Sequence, residues 1–224
     1  MFNGKMADPD YHWSEIDWAN DGATEKYWNS PASAYNRGKV DTENLINKAG
    51  TDSNGQWDAV SFVSGMICGG VLFKAQLGQW TEQVGRIAAG LDVNWPNPQN
   101  VCYDMIDVRD LVKAHRLAAE SAVDHNNSHD GPRYLLHGTG ERSTLSVGTE
   151  IPEIIARYFP GFKMGSADIS DQRDGSRPPW YNNNHSSDKA RELLGVTIRP
   201  VEETIRDLVE SQIALGLISP VLEK

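Results

Sequence analysis

The chain has 224 residues, of which 39% are hydrophobic and 23% are charged, a balance that can support a folded domain with a buried core. Its formal net charge is −10 at pH 7, which makes nucleic acids and anionic membranes unfavourable partners. No run approaches the roughly 20 apolar residues of a membrane span, and no apolar signal segment is seen near Met1. Cys68 and Cys102 both lie in apolar stretches, which predicts buried free thiols and a reducing, cytoplasmic location.

Residues 1–29 are polar and aromatic and show no sustained hydrophobic period, so we expect a loop. Loops of this length in a folded domain usually line a site or indicate that the assignment as loop is wrong. A helix is then predicted over Pro31–Ala49. Ser30 is suited to its N-cap, Pro31 to its first position, where the missing N–H has no partner to lose, and Gly50 to its C-cap.

Tyr35 and Lys39 are four residues apart in this helix, so they are expected on one face, one turn from each other. A phenol beside an ammonium group can donate a proton, because the positive charge favours the phenolate that remains. The same spacing also fits a tyrosine and a lysine on an ordinary half-exposed helix face. The pair alone therefore leaves both interpretations open.

The remaining predicted elements alternate between short strands and helices. Strands are predicted at Trp57–Val63, Val101–Ile106 and Arg133–His137, and helices at Ala75–Ala89, Val108–Val123, Ser146–Tyr158, Ser187–Leu194 and Val201–Leu215. The first strand opens into a glycine-rich turn over Ser64–Gly70, Asp107 is expected to cap the helix that follows it, and Gly195 to close another. This alternation predicts an α/β fold.

Three histidines are candidates for a ligand or a catalytic group, namely His115, His125 and His129. His115 lies on or beside the apolar stripe of its helix, which favours a packed histidine over a catalytic one. His125 and His129 are four apart in a polar loop with no third ligand in sight, so we expect solvated side chains and no metal site.

The stretch Gly138–Ser143 has the spacing of a dinucleotide-binding fingerprint. Ser143 stands where the third glycine would allow close packing of helix on strand, and no suitable acidic residue follows about 20 positions later. Pro152 also falls inside the helix that would cradle the phosphates. The stretch is therefore predicted not to bind a dinucleotide.

Four stretches carry a family resemblance, and they are Tyr35–Lys39, Ser61–Gly70, Met105–His115 and Lys189–Gly195. Together with the end of the chain they resemble the extended short-chain dehydrogenase/reductase family, in its NAD-dependent epimerase/dehydratase group. The branch of dihydroflavonol reductase, cinnamoyl-CoA reductase and methylglyoxal reductase is the most similar. The third stretch, with its hydrophobic-Asp-Val-Arg-Asp pattern, is the most specific. Gly38 replaces a frequent serine, and Ser64 and Gly70 stand at two proline positions.

The resemblance implies the C-terminal part of a Rossmann-like parallel sheet with a small substrate-binding α/β subdomain, the first βαβ half being absent. The chain would then be one partial NAD(P)-binding domain. Its segments 1–64 and 100–123 would form the remainder of the sheet and its helices. Its segments 65–99 and 124–224 would form mostly the substrate side and the C-terminal helix.

The resemblance also implies roles for individual residues. Tyr35 would be the general acid or base, and Lys39 would stabilise the phenolate and hold the ribose hydroxyls of the cofactor. Ser64, Gly65 and Ile67 would lie against the nicotinamide, although a plain turn at a strand end explains them equally well. The cofactor would be NADP or NAD, with NADP favoured by the family.

By the same resemblance the substrate is a small-molecule ketone or aldehyde. Its contacts would come from the loops Gly70–Phe73 and Pro178–Tyr181. A sugar-nucleotide epimerase or a hydroxysteroid dehydrogenase is an alternative within the enzyme class, and the residues leave the oligomeric state open.

Two parts of the family's site have no counterpart in the sequence. The glycine-rich loop that cradles the pyrophosphate is missing, and the catalytic serine cannot be assigned to Ser14, Ser30 or Ser33, since none lies on a suitable strand. The alternative to a reductase is therefore a truncated or non-catalytic remnant that cannot hold the cofactor by itself.

The first prediction follows from the missing loop. The isolated chain should bind NADPH weakly or not at all, because no helix N-terminus with a glycine-rich turn is present to hold the pyrophosphate. Titration calorimetry of the chain with NADPH measures this directly. Tight binding would contradict the expectation.

Overall fold

The computed structural model describes residues 11–19, 25–93, 102–125, 131–138, 144–146, 148, 150–165 and 184–223. The strands are β1 (His12–Trp13), β2 (Ser61–Ser64), β3 (Met66–Cys68), β4 (Cys102–Asp107), β5 (Arg133–Leu136), β6 (Thr144–Ser146) and β7 (Asn184–His185). The α-helices are α1 (Glu25–Trp28), α2 (Ala34–Asp52), α3 (Gln79–Ala88), α4 (Val108–Glu120), α5 (Glu150–Tyr158), α6 (Asp188–Leu194) and α7 (Val201–Ala214).

The chain divides into two units that interleave along the sequence. The first unit is Met1–Val63, Ala114–Leu136 and Pro178–Val196, and the second is Ser64–Lys113, His137–Arg177 and Thr197–Lys224. The predicted assignment of segments to a sheet part and a substrate-side part stays a prediction.

In the second unit, β4 is the central strand of a sheet with the order β3-β4-β6. β3 is parallel to β4, with Ile67 opposite Ile106, and β6 is antiparallel to it. Helices α3, α5 and α7 pack around this sheet. Its core is built from aliphatic side chains of these helices and strands, among them Val84, Ile87, Met105, Leu145, Ile151, Ile155, Ile205 and Leu208. Parallel strands with covering helices confirm the predicted α/β class.

A buried glutamine explains a glycine in α3. Gln212 on α7 is 1% exposed, and its Nε2 donates to the carbonyl of Thr81 at 2.9 Å. A Cβ at Gly85 would lie 2.0 Å from Gln212 Oε1. Glycine lowers helix propensity, but here it provides the space in which the amide can be buried and hydrogen-bonded.

In the first unit, β2 pairs with β5, and β1 runs parallel to β7. All four residues of β5 are buried. Helix α6 packs on β5, and Gly195 closes α6 in the left-handed region at φ 66°, as predicted. The segment 11–19, predicted as loop, contains β1 and buries Trp13.

The ends of the helix that carries Tyr35 differ from the prediction. A short 3-10 turn at Pro31–Ser33 precedes α2. Ser30 occupies the N-cap position of this turn and Pro31 its first residue, as predicted, but the Ser30 side chain makes no capping bond. The C-cap prediction at Gly50 is wrong, because α2 continues to Asp52 and the left-handed residues that follow are Asn54 and Gly55. Gly50 is instead buried inside the helix, where its missing side chain admits Ala59.

Strands β3 and β6 were missed because each has only three residues. Strand β3 lies inside the predicted glycine-rich turn Ser64–Gly70. Strand β6 precedes α5, which begins at Glu150 and not at Ser146 as predicted. Because a strand and not a helix comes next after Gly138–Ser143, this order differs from that of a dinucleotide fingerprint, in agreement with the prediction. Residues 139–143 lie outside the described part.

The histidine predictions were wrong in detail. His115 is exposed, with its ring 4.4 Å from that of Phe62. His125 is buried and not solvated: its Nδ1 lies 2.8 Å from the Tyr134 hydroxyl, and its Nε2 lies 3.0 Å from Ser121 Oγ. His129 lies outside the described residues. Buried ring nitrogens need such partners, which a sequence pattern does not reveal.

Among the described residues, no helix combines the length and the apolar character that crossing a bilayer requires.

The second prediction compares two glycines of α2. A Cβ at Gly50 would lie 2.9 Å from Ala59 Cβ, whereas a Cβ at Gly38 has no atom within 4 Å. Gly50→Ala should therefore lower the free energy of unfolding by about 1–3 kcal/mol through overpacking. Gly38→Ala should be neutral or should raise it by about 0.5–1 kcal/mol, because alanine favours a helix.

Urea unfolding followed by circular dichroism measures both effects. Equal changes in the two variants would show that the Gly50–Ala59 contact does not limit the packing of α2.

Candidate active site

Tyr35 and Lys39 lie on the exposed side of α2, within its first two turns. The Tyr35 side chain is 74% exposed, and the Lys39 side chain is also exposed. The Lys39 ammonium lies 5.5 Å from the centroid of the Tyr35 ring, within the range of a cation–π contact. The structure thus brings this pair together, with both polar groups open to an approaching molecule.

Two side chains fix the start of α2 against the segment before it. Ser33 is buried, and its hydroxyl donates to the carbonyl of Ser30 at 3.0 Å and to that of Trp28. Arg37 donates to the same two carbonyls through its Nη1, at 2.5 Å to Trp28. Tyr35 therefore stands between two residues that anchor the first turn of its helix.

Ser64, Gly65 and Ile67 lie in the second unit and follow one another at the start of the β3 region. Ser64 ends β2, and Ile67 is the middle residue of β3, with 45% of its surface exposed. A Cβ at Gly65 would lie 2.4 Å from the carbonyl oxygen of Asp104 on β4. Close packing on β4 is therefore enough to explain why residue 65 is a glycine. Its contact with a nicotinamide stays a prediction.

The predicted substrate loops differ in what the structure describes. In Gly70–Phe73, Leu72 and Phe73 are exposed apolar side chains. The Leu72 amide donates to Gln76 Oε1 at 2.6 Å, which holds the loop against the turn that follows it. Pro178–Tyr181 lies outside the described residues.

Asp107 is more than the helix cap that the sequence predicted. Its Oδ1 accepts the backbone amide of Arg109 at 2.8 Å, which confirms the cap at the start of α4. The carboxylate also accepts from the Arg109 guanidinium at 2.7 Å and 2.9 Å and from the Thr204 hydroxyl of α7 at 2.9 Å. Arg109 in turn contacts Asp207 at 2.7 Å. This network joins β4, α4 and α7.

The network sets the protonation of its members. Burial alone would raise the pKa of Asp107, but the hydrogen bonds from Arg109 and Thr204 outweigh burial and lower that pKa below its usual value. Burial, with a smaller effect from the Asp107 charge, raises the pKa of Cys68 to about 12. Cys68 is therefore a buried, protonated and free thiol, as predicted. The Cys102 side chain lies outside the described part.

A second buried carboxylate was missed by the sequence reading. Asp110 is 1% exposed and accepts the backbone amide of Arg199 at 2.9 Å. Its carboxylate also contacts the Arg199 guanidinium at 2.9 Å. The Asp-Val-Arg-Asp motif marks Asp110 as a residue of interest. It does not indicate that its partner is Arg199, 89 residues further along the chain.

Comparison with known families and proteins gives partial matches. No family model matches the chain. An uncharacterised oxidoreductase of the fission yeast Schizosaccharomyces pombe is 29% identical over 114 residues, which is 51% of this chain and 29% of the relative.

Solved structures match over more of the chain. Gre2 from Candida albicans superposes with a TM-score of 0.67 at 20% identity, covering 96% of this chain and 62% of Gre2. Vestitone reductase from alfalfa (Medicago sativa) gives 0.63 at 14% identity, covering 89% and 58%. UDP-glucose 4-epimerase from Stenotrophomonas maltophila, with bound NAD, gives 0.57 at 19% identity, covering 82% and 55%.

These matches define the class of fold. The chain has the Rossmann-like α/β fold of the NAD(P)-dependent reductases and epimerases, as the resemblance implied. The chain spans less than two thirds of the length of each of these proteins.

The third prediction concerns acid stability. Because folding lowers the pKa of Asp107, its carboxylate stabilises the folded chain above the unfolded pKa of about 4 and loses that effect as the pH falls through the folded pKa. Asp107→Asn should be less stable than wild type at pH 7, and the difference should narrow as the pH falls below about 4.

Chemical denaturation at each pH tests this. The exposed Asp52, changed to Asn, is the control and should follow the wild-type profile. A constant gap between Asp107→Asn and wild type down to pH 2 would contradict the assignment.

Proposed function

We propose that this chain supplies the proton-transfer residues of an NAD(P)-dependent oxidoreductase that reduces a ketone or an aldehyde. The observation that carries the proposal is the Tyr35–Lys39 pair, adjacent on α2 and open to solvent. The oxidoreductase relative and the reductase structures support it.

The residues present fit a nicotinamide cofactor in part. Lys39 offers an exposed ammonium with three donors for ribose hydroxyls. The roles of Gly65 and Ile67 toward the nicotinamide rest on the family resemblance alone; Ile67 has an exposed apolar side chain, whereas the Cβ position of Gly65 is filled by the Asp104 carbonyl. When bound, the cofactor supplies the hydride. Gre2 from Candida albicans has also been solved in complex with NADPH, and this similarity supports NADP over NAD as the proposed cofactor.

Tyr35 provides the proton in this proposal. Its hydroxyl donates to the carbonyl oxygen of the substrate as negative charge develops there, and the phenolate that remains faces the Lys39 ammonium. Since the Tyr35 side chain is 74% exposed, water can return the proton. In the oxidative direction the same phenolate takes the proton from an alcohol.

The proposed substrate is a small carbonyl compound with an apolar part. The exposed side chains of Leu72 and Phe73 in the predicted substrate loop support an apolar contact.

An epimerase acting on a sugar nucleotide is the second candidate. It is supported by the structural similarity to UDP-glucose 4-epimerases from Stenotrophomonas maltophila and Thermotoga maritima. Net reduction of a carbonyl with consumption of NADPH distinguishes the two, because epimerisation consumes no reductant.

The fourth prediction tests Tyr35. With NADPH at millimolar concentration, to offset weak binding, Tyr35→Phe should lower the rate of carbonyl reduction about 100-fold or more, since it removes the acid that protonates the product. Lys39→Met should lower the rate and also raise the KM for NADPH. The rate is followed by the loss of NADPH absorbance over a panel of ketones and aldehydes.

Tyr158→Phe is the matched control, because Tyr158 is a partly exposed tyrosine on α5 of the other unit. It should leave the rate unchanged. Reduction that survives in Tyr35→Phe would refute the proposal, and a wild-type chain that binds no NADPH would favour the non-catalytic remnant.

A further inference from the structure

Helix α2 has little apolar packing to fix its orientation. Of its 19 residues, only Val40 and Gly50 are buried. Apolar contacts are non-directional, and two of them fix the rotation of a helix about its axis only weakly. The hydrogen bonds of Ser33 and Arg37 hold its start. The direction in which Tyr35 points must therefore be set largely by polar contacts.

One ion pair supplies such a contact along the length of α2. The Arg133 Nε on β5 donates to Glu43 Oε1 at 2.6 Å. The two side chains are only 7% and 15% exposed, whereas the Lys48–Asp52 pair on the same helix is 71% and 60% exposed. Exposed pairs contribute little, but a buried arginine that loses its carboxylate is strongly unfavourable.

Arg133 cannot follow Glu43 if the helix turns, because other groups hold its guanidinium. Its Nη1 donates to the carbonyls of Glu15 at 2.5 Å and Asp17 at 2.8 Å. Its guanidinium carbon lies 4.0 Å from the centroid of a Trp18 ring. The planar group is thus fixed on β5 and on the segment 11–19, and α2 is oriented relative to it.

Glu43 is one turn beyond Lys39 and two turns beyond Tyr35, so all three side chains project from adjoining parts of the α2 surface. A rigid helix rotates as one body. Any turn of α2 that moves Glu43 away from Arg133 moves the Tyr35 hydroxyl through the same angle.

We propose that Arg133 and Glu43 are positioning residues for the Tyr35–Lys39 pair, acting through the rotation of α2. The catalytic part of this inference rests on the proposed function, while the structural part concerns only the placement of Tyr35. The same guanidinium ties the segment 11–19 to the helix, so this segment and Tyr35 are fixed by one group.

The test uses the full chain labelled with ¹³C in its tyrosine rings. The Tyr35 signal is assigned by its loss in Tyr35→Phe, and the Tyr158 signal by its loss in Tyr158→Phe. Glu43→Ala should shift or broaden the Tyr35 signal and leave Tyr158 unchanged. Glu43→Gln keeps an acceptor for Arg133 and should restore most of the wild-type signal. Asp52→Ala, which breaks the exposed pair on the same helix, should change neither signal.

Kinetics give the second readout. Glu43→Ala should lower kcat for carbonyl reduction by about 10- to 100-fold, the effect of misplacing a reacting group by about 1 Å. In the Tyr35→Phe background the same change should lower kcat by less than about twofold, because the group being positioned is already gone. A purely structural role would give the same loss in both backgrounds.

The outcomes separate this proposal from the proposed function. If Glu43→Ala does not fold, Glu43→Asp replaces it, since aspartate keeps the charge but withdraws the acceptor by one methylene. An unchanged Tyr35 signal in the folded variant overturns the positioning role, whatever the activity. If the Tyr35 signal shifts but Tyr35→Phe retains the wild-type rate, the proposed function fails and the placement of Tyr35 by Glu43 stands.

Discussion

A charge that leaves water must be met by hydrogen bonds, and the charges of Arg133 and Asp107 are each met by groups from several elements at once. In the first unit, the Arg133 guanidinium on β5 is shared by the Glu43 carboxylate of α2 and by two carbonyls of the segment 11–19. Elements that have little apolar surface in common are thereby fixed to each other. Helix α2, which carries Tyr35 and Lys39, is the clearest case.

In the second unit the shared buried charge is an anion, the Asp107 carboxylate, and its partners are hydrogen-bond donors. The Asp107 carboxylate ends β4, caps α4 and receives donors from Arg109 and from Thr204 on α7. Here, however, an aliphatic core already joins the sheet to α3, α5 and α7. The hydrogen bonds of Asp107 therefore orient elements that apolar packing already holds together. In α2, which has little apolar packing, the Arg133–Glu43 ion pair does much of the holding itself. Polar contacts therefore carry more of the placement of α2: the Arg133–Glu43 ion pair along its length and the hydrogen bonds of Ser33 and Arg37 at its start.

Local patterns predicted those features that depend on near neighbours in the chain. The α/β class, the cap at Asp107, the closure of α6 at Gly195 and the burial of Cys68 were all predicted correctly. The spacing of four residues placed Tyr35 beside Lys39, as the structure shows. By contrast, β3 and β6 have three residues each, too few for a period, and Gly50 was taken for a helix end because a glycine in a helix gives no sign of what packs on it.

The sequence by itself determined the type of fold and the adjacency of Tyr35 and Lys39, because helical spacing and the family's motifs are local properties of the chain. Only the tertiary structure decided how that pair is held. Arg133 and Glu43 are 90 residues apart, as Asp110 and Arg199 are 89 residues apart, and no local rule selects one carboxylate among many for one arginine. Tertiary structure also gave Gly65 its contact with the Asp104 carbonyl and His125 its place beside Tyr134. These contacts depend on which elements meet, and that is fixed by the packing of the whole unit and not by any one stretch.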